Sequence, residues 1–248
     1  MKVILILTFF MVFFNYSSGE VIRVASAANL QFALKDIIKL FEEKYPELKV
    51  YYTLSSSGKL SAQILKGAPF DIFLSANMKY PEFLYKKGLT VGKPVIFAYG
   101  SLVLWSMKNI PLKKEKIKVL LKVKKISIPN PKYAPYGKEA INVLKNYHLL
   151  NKVKTKLVFG DSVLQSTQYI YRKLVDVGFT SKSVVLSPFL KGKGKWIELD
   201  RKSYSPIKQG IVLLKNGKNK KYAKLFMDFI LSDEGRRILK KYGYYINE

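Results

Sequence analysis

Two rhythms of apolar and polar residues take turns along the chain, one of period two over short runs and one of period three to four over longer ones. Val21 to Ala25 predicts a strand and Ser26-Ala27-Ala28-Asn29 a turn. Leu30, Leu34, Ile37, Ile38 and Phe41 at helical spacing then predict a helix ending before Pro46. Asn29 is the natural N-cap of that helix. Val50 to Leu54 follows as a strand, Leu60 to Lys66 as a helix closed by Gly67, Asp71 to Ser75 as a strand, and Tyr80 to Lys87 as a helix stopped by Gly88. Ser101 to Trp105 is an almost unbroken apolar run, the pattern of a strand covered on both faces.

The middle of the chain repeats this grammar. Glu115 to Leu121 is predicted helical, Lys125 to Ile128 a strand, Pro129 to Tyr136 a loop and Gly137 to Tyr147 a helix. Lys156 to Phe159 is a strand, Val163 to Leu174 a helix, and Asp176 to Thr180, Trp196 to Leu199 and Ile207 to Leu214 are strands. Helices over Lys220 to Leu231 and Glu234 to Tyr242 close the chain. Such alternation predicts an α/β protein with mainly parallel sheets flanked by helices. Two βα sets on either side of Ser101 to Trp105, with Ile207 to Leu214 returning to the first, predict two lobes. These are residues 20–100 plus 206–248 and residues 101–205, with a ligand cleft between them. No tandem repeat, low-complexity tract or flexible linker interrupts the pattern.

Val3 to Phe14 is apolar behind the lone Lys2 and is followed by Asn15-Tyr16-Ser17-Ser18-Gly19, the grammar of a secretory signal cut after Gly19. The run falls short of the roughly 20 residues a bilayer crossing needs. With no cysteine in the chain there is no disulfide, and no thiol to carry a lipid after the signal, so the expected location is a periplasm. A net charge of +27 would suit nucleic acid or anionic lipid, but the lysines are spread along the whole chain without a nucleic-acid-binding motif. They read as a solvated surface that steers small anions. A single histidine, His148, at a helix end, and the lack of cysteine argue against a zinc or thiol site.

Ser55-Ser56-Ser57-Gly58-Lys59 lies between a strand and a helix, so its hydroxyls sit at a helix N-terminus, where free N–H groups and the positive end of the dipole favour an anion. The plain alternative is that Ser56 or Ser57 only caps the helix. Asn29 and Ser57 both fall at strand C-termini before helices, where two turns can face one ligand. Ser56 to Lys59 also satisfies the S-x-x-K pattern of penicillin-recognising serine enzymes, but the partner S-D-N and K-T-G elements are missing.

From about Val21 to Tyr242 the chain resembles the periplasmic molybdate-binding proteins of ABC transporters, within the two-lobed solute-receptor superfamily. The likeness runs through Ala25-Ser26-Ala27-Ala28-Asn29-Leu30, Ser56-Ser57-Gly58-Lys59-Leu60 and Gly67 to Ala76. It continues through Asn130 to Gly137, Gly160-Asp161-Ser162-Val163 and Ile207 to Leu214, in that order and spacing. The resemblance implies a type II periplasmic binding protein fold and no enzymatic activity. It implies an oxyanion, molybdate or tungstate, as ligand without a cofactor or direct cation ligands, and a monomeric receptor that delivers to an inner-membrane permease.

It further implies that Asn29 and Ser57 hold the ion through side-chain and backbone donors from one lobe, and Tyr133 and Val163 through backbone N–H from the other. Ala28 and Ser181 are the further positions it points to. Many members carry serine where this chain has Asn29, and some carry a ligand-contacting tyrosine where it has Ser181. The chemistry is consistent: a fully deprotonated dianion offers acceptors only, so a matched site presents donors. Hydrogen phosphate would reward a carboxylate; the one candidate, Asp161, reads as a cap for the helix at Val163. Sulfate differs from molybdate chiefly in size, which sequence does not encode legibly. Lys59 and Lys132 either draw the anion from the cleft rim or, as a lysine beside a helix start more often is, are simply solvated; neither is assigned to the direct contacts. The rings of Tyr133 and Tyr136 serve either as cleft wall or as ordinary packing.

Overall fold

The structure, a computed structural model, describes residues 20–246; the expected signal segment, residues 1–19, lies outside the described residues. The chain begins β1 (Glu20–Ala27), α1 (Gln31–Lys44), β2 (Leu48–Ser55), α2 (Ser57–Leu65), β3 (Ile72–Ser75), α3 (Lys79–Lys86) and β4 (Thr90–Gly100). It crosses to β5 (Leu102–Ser106), α4 (Leu112–Glu115), β6 (Ile126–Pro129), α5 (Pro135–Asn146), α6 (Leu150–Val153), β7 (Leu157–Gly160) and α7 (Val163–Tyr171). β8 (Val177–Ser181), α8 (Lys182–Val185) and β9 (Lys195–Glu198) follow. The chain then returns through β10 (Ile207–Leu214) to α9 (Lys220–Leu231) and α10 (Asp233–Lys241).

Two five-stranded sheets result, ordered β2-β1-β3-β10-β4 and β7-β6-β8-β5-β9. In the first, β1 pairs in parallel with β2 and β3, while β10 pairs antiparallel with β3 and β4. In the second, β6 is parallel to β7 and β8, while β5 is antiparallel to β8 and β9. Each sheet therefore has four strands running one way and a single strand, β10 or β5, opposing them. The two lobes repeat one topology although the sequence shows no repeat. In each lobe the reversed strand follows directly on the crossing from the other, at Gly100 to Leu102 and between Glu198 and Ile207.

The period-two pattern explains how the first sheet holds helices on both faces. Ile22, Val24, Ile72 and Leu74 point to one side, where they meet Leu34, Ile37 and Phe41 of α1 and Phe226 and Phe229 of α9. Ala25 and Phe73 point to the other, against Leu60 and Ile64 of α2 and Leu84 of α3. Phe41 lies edge-on to Phe226, with ring centroids 4.8 Å apart. Leu102 to Trp105, buried on both faces as their apolar run predicts, centre the second core with Ile126, Ile128, Phe179 and the inward face of α5.

Four local expectations change. β4 was not anticipated: Gly92 and Pro94 interrupt its pattern, and Val91, Val95 and Ile96 are partly exposed because it is an edge strand, where a proline is tolerated. The helix expected over Glu115 to Leu121 is instead α4 followed by a 3-10 turn over Lys116–Leu121, broken where Lys116 takes φ 50°. α7 ends at Tyr171 and not at Leu174, because Lys173 is in the left-handed region at φ 57°. α5 starts two residues earlier than expected, with Pro135 at its first position.

That early start is held by close packing. A Cβ built on Gly137 would lie 1.9 Å from the Pro129 carbonyl oxygen at the end of β6, so only glycine lets the first turn of α5 seat there. Gly137→Ala is expected to destabilise the protein by about 1–3 kcal/mol, the usual cost of overpacking, read as a lowered thermal midpoint. An unchanged midpoint would contradict this seating.

Candidate functional site

The C-terminal ends of the parallel strands in the two sheets face one another across a small cavity. Its wall is built from Ala27, Ala28 and Asn29 after β1, Ser55, Ser56 and Ser57 between β2 and α2, and Ala76 after β3. Ala134, Pro135 and Tyr136 at the start of α5 and Val163 at the start of α7 complete it. The cavity is small, about 10 Å³, close to the room for one water. No lining residue carries a formal charge. A much larger groove, of about 1080 Å³, runs along the lysine-rich surface between Lys113–Lys118 and Asp200. None of the unpartnered buried side-chain atoms among the described residues belongs to it, so the small cavity is the candidate site.

Three helices, α2, α5 and α7, present their first turns to this cavity. Among the described residues, the N–H groups of Asn29, Ser57, Tyr136 and Val163 meet no backbone acceptor. The positive ends of three helix dipoles therefore converge on one small volume. Ser57 is fully buried, and its Oγ accepts a hydrogen bond from the Ala76 N–H at 2.9 Å, which leaves the Ser57 hydroxyl proton free to donate. Ser56 occupies the N-cap position of α2 but makes no side-chain cap; its Oγ is buried without a partner. The plain capping reading of both serines therefore does not describe this turn.

Asn29 is no N-cap either. It lies within a 3-10 turn over Ala28–Leu30, and its carboxamide faces inward. Nδ2 donates to Gln209 Oε1 and to Tyr244 Oη, both at 2.8 Å. The orientation is fixed from behind: Gln209 Nε2 donates to the carbonyls of Ile207, at 3.0 Å, and Ala76, at 3.4 Å, so only Oε1 remains to face Asn29. Both amide protons of Asn29 are thus engaged, and its Oδ1 is buried without a partner. The expected side-chain donation from Asn29 to an anion does not fit this arrangement. Its backbone N–H does. The Asn29 carbonyl accepts from Tyr244 Oη at 2.9 Å and from Ser183 Oγ at 2.7 Å, pinning the turn to the C-terminal segment and to α8 of the other lobe.

Of the positions picked out from the sequence, Ala28, Asn29, Ser57 and Val163 share the cavity. Tyr133 does not: its N–H donates to the Asn130 carbonyl at 3.1 Å, and its own carbonyl accepts from Gly58 N–H at 3.0 Å. Tyr136, three residues on, stands at the cavity with a free N–H, and its hydroxyl is buried without a partner. The signal that locates it is Pro135, a marker of the first helical position, which puts Tyr136 in the first turn of α5. Ser181 is fully buried, and its Oγ pairs with Ser183 Oγ at 2.9 Å, one residue removed from Asn29. Asp161 is not the cap of α7; Ser162 is, with its Oγ accepting from Gln165 N–H.

The sequence profile of bacterial extracellular solute-binding proteins matches residues 22–245. The chain belongs to that family. This solute-binding protein is 36% identical over 229 residues to the molybdate-binding protein ModA of Rhodobacter capsulatus, covering 92% of this chain and 89% of that one. It is also 36% identical over 231 residues to ModA of Azotobacter vinelandii, covering 90% and 89%. The solved structure of the Azotobacter vinelandii periplasmic molybdate-binding protein superimposes with a TM-score of 0.87 at 31% identity, covering 92% of this chain and all of that one.

Tyr136 and Tyr244 beside the site, and Tyr242 against Asp36 of α1, stay protonated. Burial pushes Tyr136 and Tyr244 well above the usual tyrosine range, and burial together with Asp36 raises Tyr242 to about 12. A raised folded-state pKa gives stability that is complete below the unfolded value near 10 and is lost as pH climbs through the folded value. The thermal midpoint is therefore expected to fall as pH rises from 10 toward 12, with tyrosinate absorbance from these residues appearing only on unfolding. A midpoint indifferent to that rise would contradict the burial of these hydroxyls.

Proposed function

We propose that this solute-binding protein is the extracytoplasmic receptor for molybdate, with tungstate bound alike, and that it hands the oxyanion to the permease of an ABC transporter. The observation that carries this reading is a cavity with no formal charge on its walls, at which the first turns of three helices leave N–H groups free and two hydroxyls, on Ser57 and Ser56, add donors. A deprotonated tetrahedral dianion supplies acceptors only and complements such a set. The relatives named above are molybdate-binding proteins, which supports the choice of ion.

In this reading the ligand is held by the N–H groups of Asn29, Ser57, Tyr136 and Val163 and by the Ser57 hydroxyl, without a cofactor or a cation. Asn29 Oδ1, an acceptor, gives the ion nothing; the carboxamide serves to hold the turn that offers the Asn29 N–H. The ion enters between open lobes, residues 20–100 plus 206–248 on one side and 101–205 on the other, and their closure completes its shell. The mature chain works as a monomer in the periplasm after loss of residues 1–19. It is a binding protein and not a serine enzyme. The lysine of the S-x-x-K pattern, Lys59, is paired with Asp161, which leaves no base assigned to Ser56.

Titration calorimetry is expected to show saturable one-to-one binding of molybdate and of tungstate, with sulfate as the competing arm. Ser57→Ala, which removes a hydrogen bond to a charged group, should weaken binding by about 1.5–3 kcal/mol. Preference for sulfate over both oxometalates would overturn the choice of ligand. Unchanged affinity in Ser57→Ala would overturn the placement of the site.

A further inference from the structure

Lys59 and Asp161 stand on opposite sides of the cavity. Lys59 lies in the first turn of α2, two residues after Ser57, and Asp161 two residues before Val163 at the start of α7. Lys59 Nζ lies 2.5 Å from Asp161 Oδ2, with side chains 37% and 61% exposed, so the pair bridges the two sheets at the solvent edge of the site. Beside it the Gly58 N–H donates to the Tyr133 carbonyl at 3.0 Å, a second link from α2 to the other lobe. A Cβ on Gly58 would lie 3.0 Å from that carbonyl oxygen and 2.8 Å from the Tyr80 hydroxyl, so the approach depends on glycine. The positive ends of α2 and α7 face each other here, and an ion pair strung from the first turn of α2 to the residue before the cap of α7 holds together what those dipoles push apart.

We infer that Lys59 and Asp161 are positioning residues that form a cleft clasp, with the Lys59 charge free to draw in the dianion while the lobes are apart and taken over by Asp161 when they close. The inference rests on the receptor reading above. It accounts for a cation standing two residues from the cavity yet outside its wall: the charge speeds encounter, and its pairing with Asp161 then holds the two lobes together over the bound ion. The clasp is exposed, so its contribution is modest, and it acts on rates more than on whether the ion binds.

Stopped-flow fluorescence with molybdate and with tungstate tests this on the full mature chain. Asp161→Asn should raise the dissociation rate about two- to five-fold, the scale of an exposed ion pair, and leave association little changed. Lys59→Gln should raise dissociation similarly and also slow association, with a weaker dependence of the association rate on salt. The double exchange of Lys59→Asp with Asp161→Lys should bring dissociation back toward wild type, which loss of local structure would not do. Single variants with wild-type dissociation, or a double exchange as fast to dissociate as the single variants, would overturn the clasp while wild-type binding leaves the receptor reading standing. A wild-type chain that binds neither oxyanion would overturn both.

Discussion

Backbone N–H groups at the start of a helix have no partner within it, and this structure gathers three such starts around one small space. α2, α5 and α7 come from different lobes, and each would gain from an acceptor at its first turn. At the cavity itself Ser57 Oγ already serves Ala76 N–H and the Ser56 hydroxyl is a buried donor without an acceptor, while Ser162 caps α7 through Gln165 N–H and leaves the Val163 N–H free. A buried hydroxyl left unsatisfied costs about 1–3 kcal/mol. The turns around the cavity therefore offer more free donors than acceptors, Asn29 Oδ1 being the one unpartnered acceptor-only side-chain atom among its lining residues, and an anion with several oxygens is the complement.

The rest of the fold serves to hold these turns in place. β1, β2 and β3 of one sheet and β6 and β7 of the other run into turns that line the cavity, so the sheets fix where those turns begin. Behind the turn at Asn29 lies a chain of hydrogen bonds from the Ile207 and Ala76 carbonyls through Gln209, Asn29 and Tyr244 to Ser183. It joins the returning strand β10, the segment after α10 and α8 of the other lobe. Such a network orients one amide and shields it from an anion, which gives the asparagine a structural duty behind its backbone donor.

Much of the architecture was legible because it is carried by periodicity. The run from Leu102 to Trp105 and the helical spacing of Leu34, Ile37 and Phe41 announce their burial directly. β4 escaped because an edge strand needs no continuous apolar face, and Gly92 and Pro94 disguise it further. The site was legible where residue type and helix start coincide, as at Ser57 and Val163. Tyr133 enters through the family resemblance alone, whereas Pro135 places Tyr136 in the first turn of α5, where its N–H reaches the cavity. The inward commitment of the Asn29 amide depends on Gln209 and Tyr244, far away in sequence, and no local pattern encodes it.

The central claim is that a tetrahedral oxyanion rests between the first turns of α2, α5 and α7. Anomalous diffraction from crystals grown with tungstate locates the metal atom without reference to any assumed pose. The account predicts one strong peak inside this cavity, with tungstate oxygens in hydrogen-bonding reach of the Ser57 hydroxyl and of the Tyr136 and Val163 N–H groups. A peak on the lysine-rich groove near Lys113–Lys118, or a cavity left empty at saturating tungstate, would contradict it.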